Sequence, residues 1–212
     1  MNLGGKSLDL ETSKNLGGVG AILMFVSFLL SYASVLSGVL SLVGLILVLI
    51  AFKGLADYYN NASVFNNAFY TVILVIIGVV VAGALILVAA VGFFAELGFD
   101  MANITAWSAG EFAGEFAGEF MDITAFSGLI GDFLVQILVA ALVLWVCLII
   151  GAVLLRRSLG IVSAKSGVGL FSSTGLLMLV GAVIPVVGLF LMWIGLLLLA
   201  VAFFQIKPQQ VS

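Results

Sequence analysis

Histidine is absent, cysteine occurs once (Cys147), and 8% of the 212 residues are charged. Without histidine or a second cysteine there is no disulfide framework, no Cys/His zinc site, no histidine-ligated haem and no imidazole acid–base chemistry. An ordinary globular domain carries about 25% charged residues. Hydrophobic residues make up 64% of this chain. So apolar a chain would precipitate if exposed to water, which excludes a soluble fold and makes membrane spans the useful unit of division.

A spanning helix needs about 20 apolar residues to cross a hydrocarbon core about 30 Å thick. Six runs qualify: 16–34, 35–52, 68–95, 128–155, 167–184 and 185–206. They are apolar on every face and do not alternate, as expected of helices in lipid, where backbone groups must bond internally. The expected fold is all-α: a polytopic membrane helix bundle of about six transmembrane helices, with an amphipathic acidic helix on its outer face. The division is an N-terminal segment 1–15, a first hairpin 16–52 and a loop 53–67. Two long central helices follow within 68–155, enclosing an acidic segment 96–127. A basic loop 156–166, a last hairpin 167–206 and a tail 207–212 complete the chain.

This division sorts the charges. All seven Lys and Arg fall on one side: Lys6, Lys14, Lys53, Arg156, Arg157, Lys165 and Lys207. Segment 96–127 holds Glu96, Asp100, Glu111, Glu115, Glu119 and Asp122, with no Lys or Arg. Basic loops stay cytoplasmic. Both termini are therefore expected inside and the acidic segment outside the cell membrane.

An offset of 151 positions overlays the two ends without a gap: Lys14 on Lys165, Gly18 on Gly169, Gly44 on Gly195, Ala51 on Ala202 and Phe52 on Phe203. The terminal hairpins read as copies, and because both enter from the same side they form parallel repeats. Each arm reaches only about 27 Å at the helical rise. A re-entrant hairpin that does not cross therefore stays open beside a full span. The central runs, at about 42 Å, must tilt or project.

Three blocks resemble an archaeal multi-pass membrane family known only as domain of unknown function 996. They are Leu10-Glu11-Thr12-Ser13-Lys14 with Leu16-Gly17-Gly18-Val19-Gly20, Val43-Gly44-Leu45-Ile46 through Ala51-Phe52-Lys53, and Leu55-Ala56-Asp57-Tyr58-Tyr59 with Val64-Phe65-Asn66-Asn67-Ala68. The resemblance covers about residues 10 to 75. It implies an archaeal membrane protein and brings no activity, cofactor or catalytic residue.

The most unusual stretch is Ala109-Gly110-Glu111-Phe112, repeated at 113–116 and 117–120. A four-residue period drifts about 40° per repeat against the helix. It therefore draws Glu111, Glu115 and Glu119 into one stripe, the phenylalanines into a second, and Gly with Ala into a third. Glycines and like charges at i, i+4 weaken such a helix, so it needs an outside contact. The Phe stripe suits the outer membrane interface, and the Gly/Ala stripe suits another helix, including one from a second copy. The Glu stripe reads as a solvated face, or with Asp122 as a cation vestibule. Its spacing matches no calcium-loop motif.

Asp132 lies about one turn inside the fourth run, with Gln136 four residues on along the same face. An ionisable group within a span is a functional candidate. Its alternative is a carboxylate in the wet headgroup layer. Asn103-Ile104-Thr105 is the glycosylation sequon on the outer side. Cys147, deep in the fourth run, reads as a small packing residue.

No catalytic, cofactor-binding or metal-ligating set emerges, and nothing points to nucleic acid. The first functional expectation is a non-enzymatic, self-associating structural membrane protein or the membrane subunit of a larger complex, with the lipid bilayer as its medium. The alternative is a cation channel or small transporter with an acidic outer vestibule.

Overall fold

The computed structural model describes residues 9–30, 35–97 and 123–208. The described residues form six helices and no strand: α1 (Leu10–Leu29), α2 (Val35–Tyr58), α3 (Ala62–Glu96), α4 (Ile123–Ser166), α5 (Leu170–Val183) and α6 (Val187–Phe204). Among them, α1, α2, α3, α4 and α6 are long and apolar enough to cross a membrane.

Two of the expected boundaries move. Residues 156–166, expected as a loop from their charge, are the last three turns of α4. The helix continues because Ser158, Leu159 and Val162 form a buried stripe on one face, while Arg156 and Arg157 are exposed on the other. The fifth run is shorter than expected. Gly167 takes a left-handed conformation (φ +74°) that stops α4. The Ser163 hydroxyl donates to the Val168 carbonyl (3.1 Å), and the Val168 N–H donates to the Ser166 hydroxyl (3.2 Å). Residues 167–169 are thus a turn, and α5 keeps 14 residues, about 21 Å. At its far end Ile184 is extended (φ −97°, ψ 109°), as the residue before Pro185 prefers.

The α2–α3 connection is tighter than a loop. Asn60 is left-handed (φ 49°), the Asn61 N–H donates back to the Ala56 carbonyl (2.8 Å), and the Asn60 N–H donates to that of Asp57 (3.3 Å). This is the Schellman closure of a helix C-terminus. Asn61 then caps α3, its side-chain oxygen accepting from the Ser63 N–H (3.0 Å).

The chain divides into two compact units. The first runs up to Leu74 and resumes at Leu148; the second is Val75–Cys147. In the first unit α1 and α2 meet backbone to backbone. A Cβ at Gly20 would stand 2.6 Å from the Gly44 carbonyl oxygen, and one at Gly44 would stand 2.6 Å from that of Gly20. Gly181 and Gly188 make the same kind of backbone contact between α5 and α6. The hairpin tip there is a three-residue turn: Val186 has φ 66° and ψ −67°, and the Val187 N–H donates to the Pro185 carbonyl (2.8 Å). Helices α1 and α6 lie together. Trp193 stacks on Phe25 (centroids 4.6 Å, planes 5° apart), and its indole N–H donates to the Phe25 carbonyl (3.1 Å).

The packed core of this unit gathers around three phenylalanines. Phe203 meets Phe52 (5.7 Å) and Phe171 (5.3 Å) edge to face, and its ring covers Gly17. Leu10, Leu55, Tyr59, Val64, Leu159, Val162 and Ile206 are among its other members. These residues come from the helix ends that carry Lys14, Lys53, Arg156, Arg157, Lys165 and Lys207. The densest packing and the basic charge therefore share one end of the unit. Two hydroxyls tie α3 to α4: Ser158 donates to the Val64 carbonyl (2.6 Å), and Thr71 donates to those of Asn67 and Gly151 (2.9 Å each).

The second unit is a helix pair. A Cβ at Gly78 would stand 2.8 Å from Cys147 Cβ, and Phe93 lies 4.9 Å from Phe133. Cys147 is half-buried against α3, which suits the packing role expected of it.

Candidate functional site

At the basic end of the first unit, two of the cations have acidic partners on their own helices. Lys53 Nζ lies 2.7 Å from Asp57 Oδ1, one turn on, and sits 5.9 Å from the Phe65 ring centroid. Lys14 lies 3.7 Å from Glu11. Both are partly exposed i, i+3 or i, i+4 pairs, each worth only about 0.3–0.5 kcal/mol. Their effect is to hold the carboxylates as much as to stabilise the fold.

Arg156 and Arg157 differ. Both are exposed, and among the described residues neither makes an ion pair or a hydrogen bond. The Arg156 stem is placed by α5: a Cβ at Gly175 would lie 3.1 Å from Arg156 Cα and 3.4 Å from its Cγ. Exposed Ser172 and Ser173 precede this contact on α5 by about a turn. Described charges in this unit are Lys14, Lys53, Arg156, Arg157, Lys165 and Lys207 against Asp9, Glu11 and Asp57, a balance of 6 − 3 = +3.

Tyr59, in the α2–α3 turn, is buried with its hydroxyl unpartnered. Burial pushes its phenol above the usual value, and the neighbouring Tyr58 adds to the shift.

Farther along α1 and α2 an open-sided recess of about 300 Å³ is lined by Met24, Ser27, Phe28, Ser37, Gly38, Ser41 and Leu196. The pairing of Ser37 with Ser41, four apart on one helix face, was a readable signal for it. The sequence does not indicate that Ser27 joins them.

Of the residues singled out from sequence, Asn103, Glu111, Glu115, Glu119 and Asp122 lie outside the described residues. Asp132 and Gln136 belong to the second unit, are both exposed, and do not bond to each other. Asp132 adjoins Phe133, whose ring meets Phe93, and Glu96 stands three residues beyond Phe93. The two carboxylates thus belong to the same end of the helix pair. α4 begins at Ile123, so Asp132 lies nine residues into the helix and four into the apolar run that starts at Gly128. Among the described residues, no group of three His, Cys, Asp or Glu is placed to hold a metal ion.

A family model for a protein of unknown function, DUF996, matches residues 40–204. The chain belongs to that family. The match runs from α2 to the end of α6, well beyond the 10–75 stretch that carries the sequence resemblance, and the block at residues 10–20 precedes it. An uncharacterised protein of the archaeon Methanocaldococcus jannaschii is 28% identical over 202 residues, covering 94% of each chain. No solved structure matches. Membership in DUF996 brings no assigned function; the suggestion of a membrane protein comes from the five long apolar helices of the chain itself.

Proposed function

We propose that this DUF996 protein is a self-associating structural membrane protein, or the membrane subunit of a larger complex. In this reading it lies in the cell membrane with both termini cytoplasmic and segment 96–127 outside. The observation that carries the reading is the uneven burial of the two units. In the span windows of α1, α2 and α6, 33–39% of residues are buried; in those of α3 and α4 the share is 17%. Val80, Leu87 and Val88 on α3 and Leu138 on α4 are each more than 60% exposed. Glycines Gly83, Gly92, Gly128 and Gly131 have nothing within 4 Å of a built Cβ. Lipid supplies no hydrophobic drive for helix association, so small residues matter where they let backbones approach. In the first unit Gly20, Gly44, Gly181 and Gly188 do this within the chain. The open glycines of α3 and α4 fit the same use between chains.

Two further observations support the layout. The described cations of the first unit share one end with its packed core, as the positive-inside assignment requires. The duplicated-hairpin reading gains from the burial pattern: positions 44–53 and 195–204 agree in burial at every place except Leu49 and Ala200. The offset partners Phe52 and Phe203 also meet ring to ring, as equivalent residues do when they flank an approximate axis.

The alternative, a cation channel or small transporter with an acidic outer vestibule, would rest on Glu111, Glu115, Glu119 and Asp122, which lie outside the described residues. Native mass measurement in mild detergent tests the assembly reading. The wild type is expected as a multimer or with a tightly held partner, and Gly83→Leu is expected to shift at least half of it to the single-chain mass. A wild type that runs as a lone chain at every detergent concentration removes the reading.

A further inference from the structure

We propose that Arg156 and Arg157 form a binding site for the phosphate of an anionic membrane lipid, in the groove where α4 leaves the bilayer beside α5. Lys14 and Lys53 each hold a carboxylate on their own helix, which commits Glu11 and Asp57. Asp9, at the head of α1, is then the one described carboxylate of the unit outside those pairs. The two guanidiniums have neither an ion pair nor a hydrogen bond among the described residues, and the described residues of the unit carry a surplus of +3 (6 − 3). Two adjacent unpaired guanidiniums rise from an apolar stretch, Val153-Leu154-Leu155, at the point where the helix meets charge. Two like charges side by side with no carboxylate to offset them call for an anion from outside the chain.

The residue type and the packing narrow the partner. A guanidinium is weakly hydrated and presents a planar fork of donors that matches two phosphate oxygens, where an ammonium offers a single point charge. The Arg156 stem rests against Gly175, where the absent side chain lets α5 approach to contact. That wall limits the rotamers of the arm, so less freedom is lost when it binds. The exposed hydroxyl of Ser172, three residues before Gly175 on the same side of the helix, suits a remaining oxygen of a headgroup. A basic pocket between helices on the cytoplasmic side is the arrangement that takes anionic headgroups. The bilayer supplies that phosphate at high local concentration, which favours lipid over a soluble ion. The site lies in the first unit and does not depend on self-association.

The test uses the full-length protein in a neutral glycoside detergent. Retention of phosphatidylglycerol, with phosphatidylcholine as the neutral control, is read by native mass spectrometry. The wild type is expected to retain phosphatidylglycerol selectively. R156Q/R157Q is expected to weaken it about tenfold, and R156K/R157K about threefold, because charge is kept and the fork is lost. K165Q/K207Q, which removes equal charge nearby, is expected to leave retention unchanged. The Lys variant keeps both charges and the membrane sidedness, so it decides the question even if the Gln variant fails to fold. The proposal is overturned if R156K/R157K binds as the wild type does, or if K165Q/K207Q loses as much as R156Q/R157Q. Displacement of the lipid by millimolar inorganic phosphate would identify a free-phosphate site instead and overturn the lipid assignment.

Discussion

Gly44→Ala is expected to destabilise the protein by about 2 kcal/mol, although alanine is the better helix former by about 1 kcal/mol. The added Cβ would stand 2.6 Å from the Gly20 carbonyl oxygen and 3.0 Å from the Met24 nitrogen. Both obstacles are main-chain atoms, so relief requires α1 and α2 to separate. Overpacking of this kind costs about 1–3 kcal/mol, and here it outweighs the propensity gain. The control lies on the same helix. Gly38 has nothing within 4 Å of its built Cβ, so Gly38→Ala is expected to be neutral or stabilising by up to about 1 kcal/mol. Thermal unfolding in detergent, followed by tryptophan fluorescence, separates the two. Equal shifts for both substitutions would mean that α1 and α2 do not touch along Gly20 and Gly44.

The second large effect is expected at Phe203. Its ring meets Phe52 and Phe171, covers Gly17, and is 0% exposed. Phe203→Ala removes the shared member of the cluster and leaves a cavity between four helix ends. The cost of such a change in a packed core is about 3–5 kcal/mol. Val201, two residues away on α6, is 41% exposed, and Val201→Ala is expected to cost under about 1 kcal/mol. The contrast matters because both residues are apolar and α6 is apolar all round. In a lipid-facing helix, hydrophobicity does not distinguish core from surface. Only contact does, and an unfolding titration of the two variants measures it.

That point also explains what was legible before the structure. Long apolar runs separated by charge located five membrane-length helices and the all-α class, because a helix is the cheapest way to satisfy backbone groups in lipid. The ends were less legible. The charges at Arg156, Arg157 and Lys165 suggest an exit from the membrane, and the exit is real in composition. The helix nonetheless continues, since Leu159 and Val162 still have a core to bury into. Gly167 and Ser163 then set the turn that shortens α5 through backbone and hydroxyl geometry, which hydropathy does not register. Asn60 and Asn61 close α2 and cap α3, again by backbone and side-chain geometry that hydropathy does not register.

The candidate site was legible in part for a related reason. Charge sign could be read directly, so the basic end was recognisable as a set. Pairing could not be read that way. Lys53 and Asp57 show an i, i+4 spacing that suggests their bridge, and Glu11 with Lys14 shows i, i+3. That Arg156 and Arg157 are left over follows only once α5 is seen to press Gly175 against Arg156 and to bring no carboxylate with it. Asp132, about one turn inside the apolar run, reads from sequence as an intramembrane group or as a carboxylate in the headgroup layer, and its exposure is compatible with both.

The proposed sidedness puts the basic helix ends and their packed core toward the cytoplasm and the acidic segment outward. Single-cysteine labelling in intact cells with a membrane-impermeant maleimide tests it most directly. Cys147→Ala serves as the background, carrying either Lys207→Cys or Glu115→Cys. The account predicts that the cysteine at 115 labels in intact cells and that the one at 207 labels only after permeabilisation. Labelling of both positions from the same compartment would contradict it.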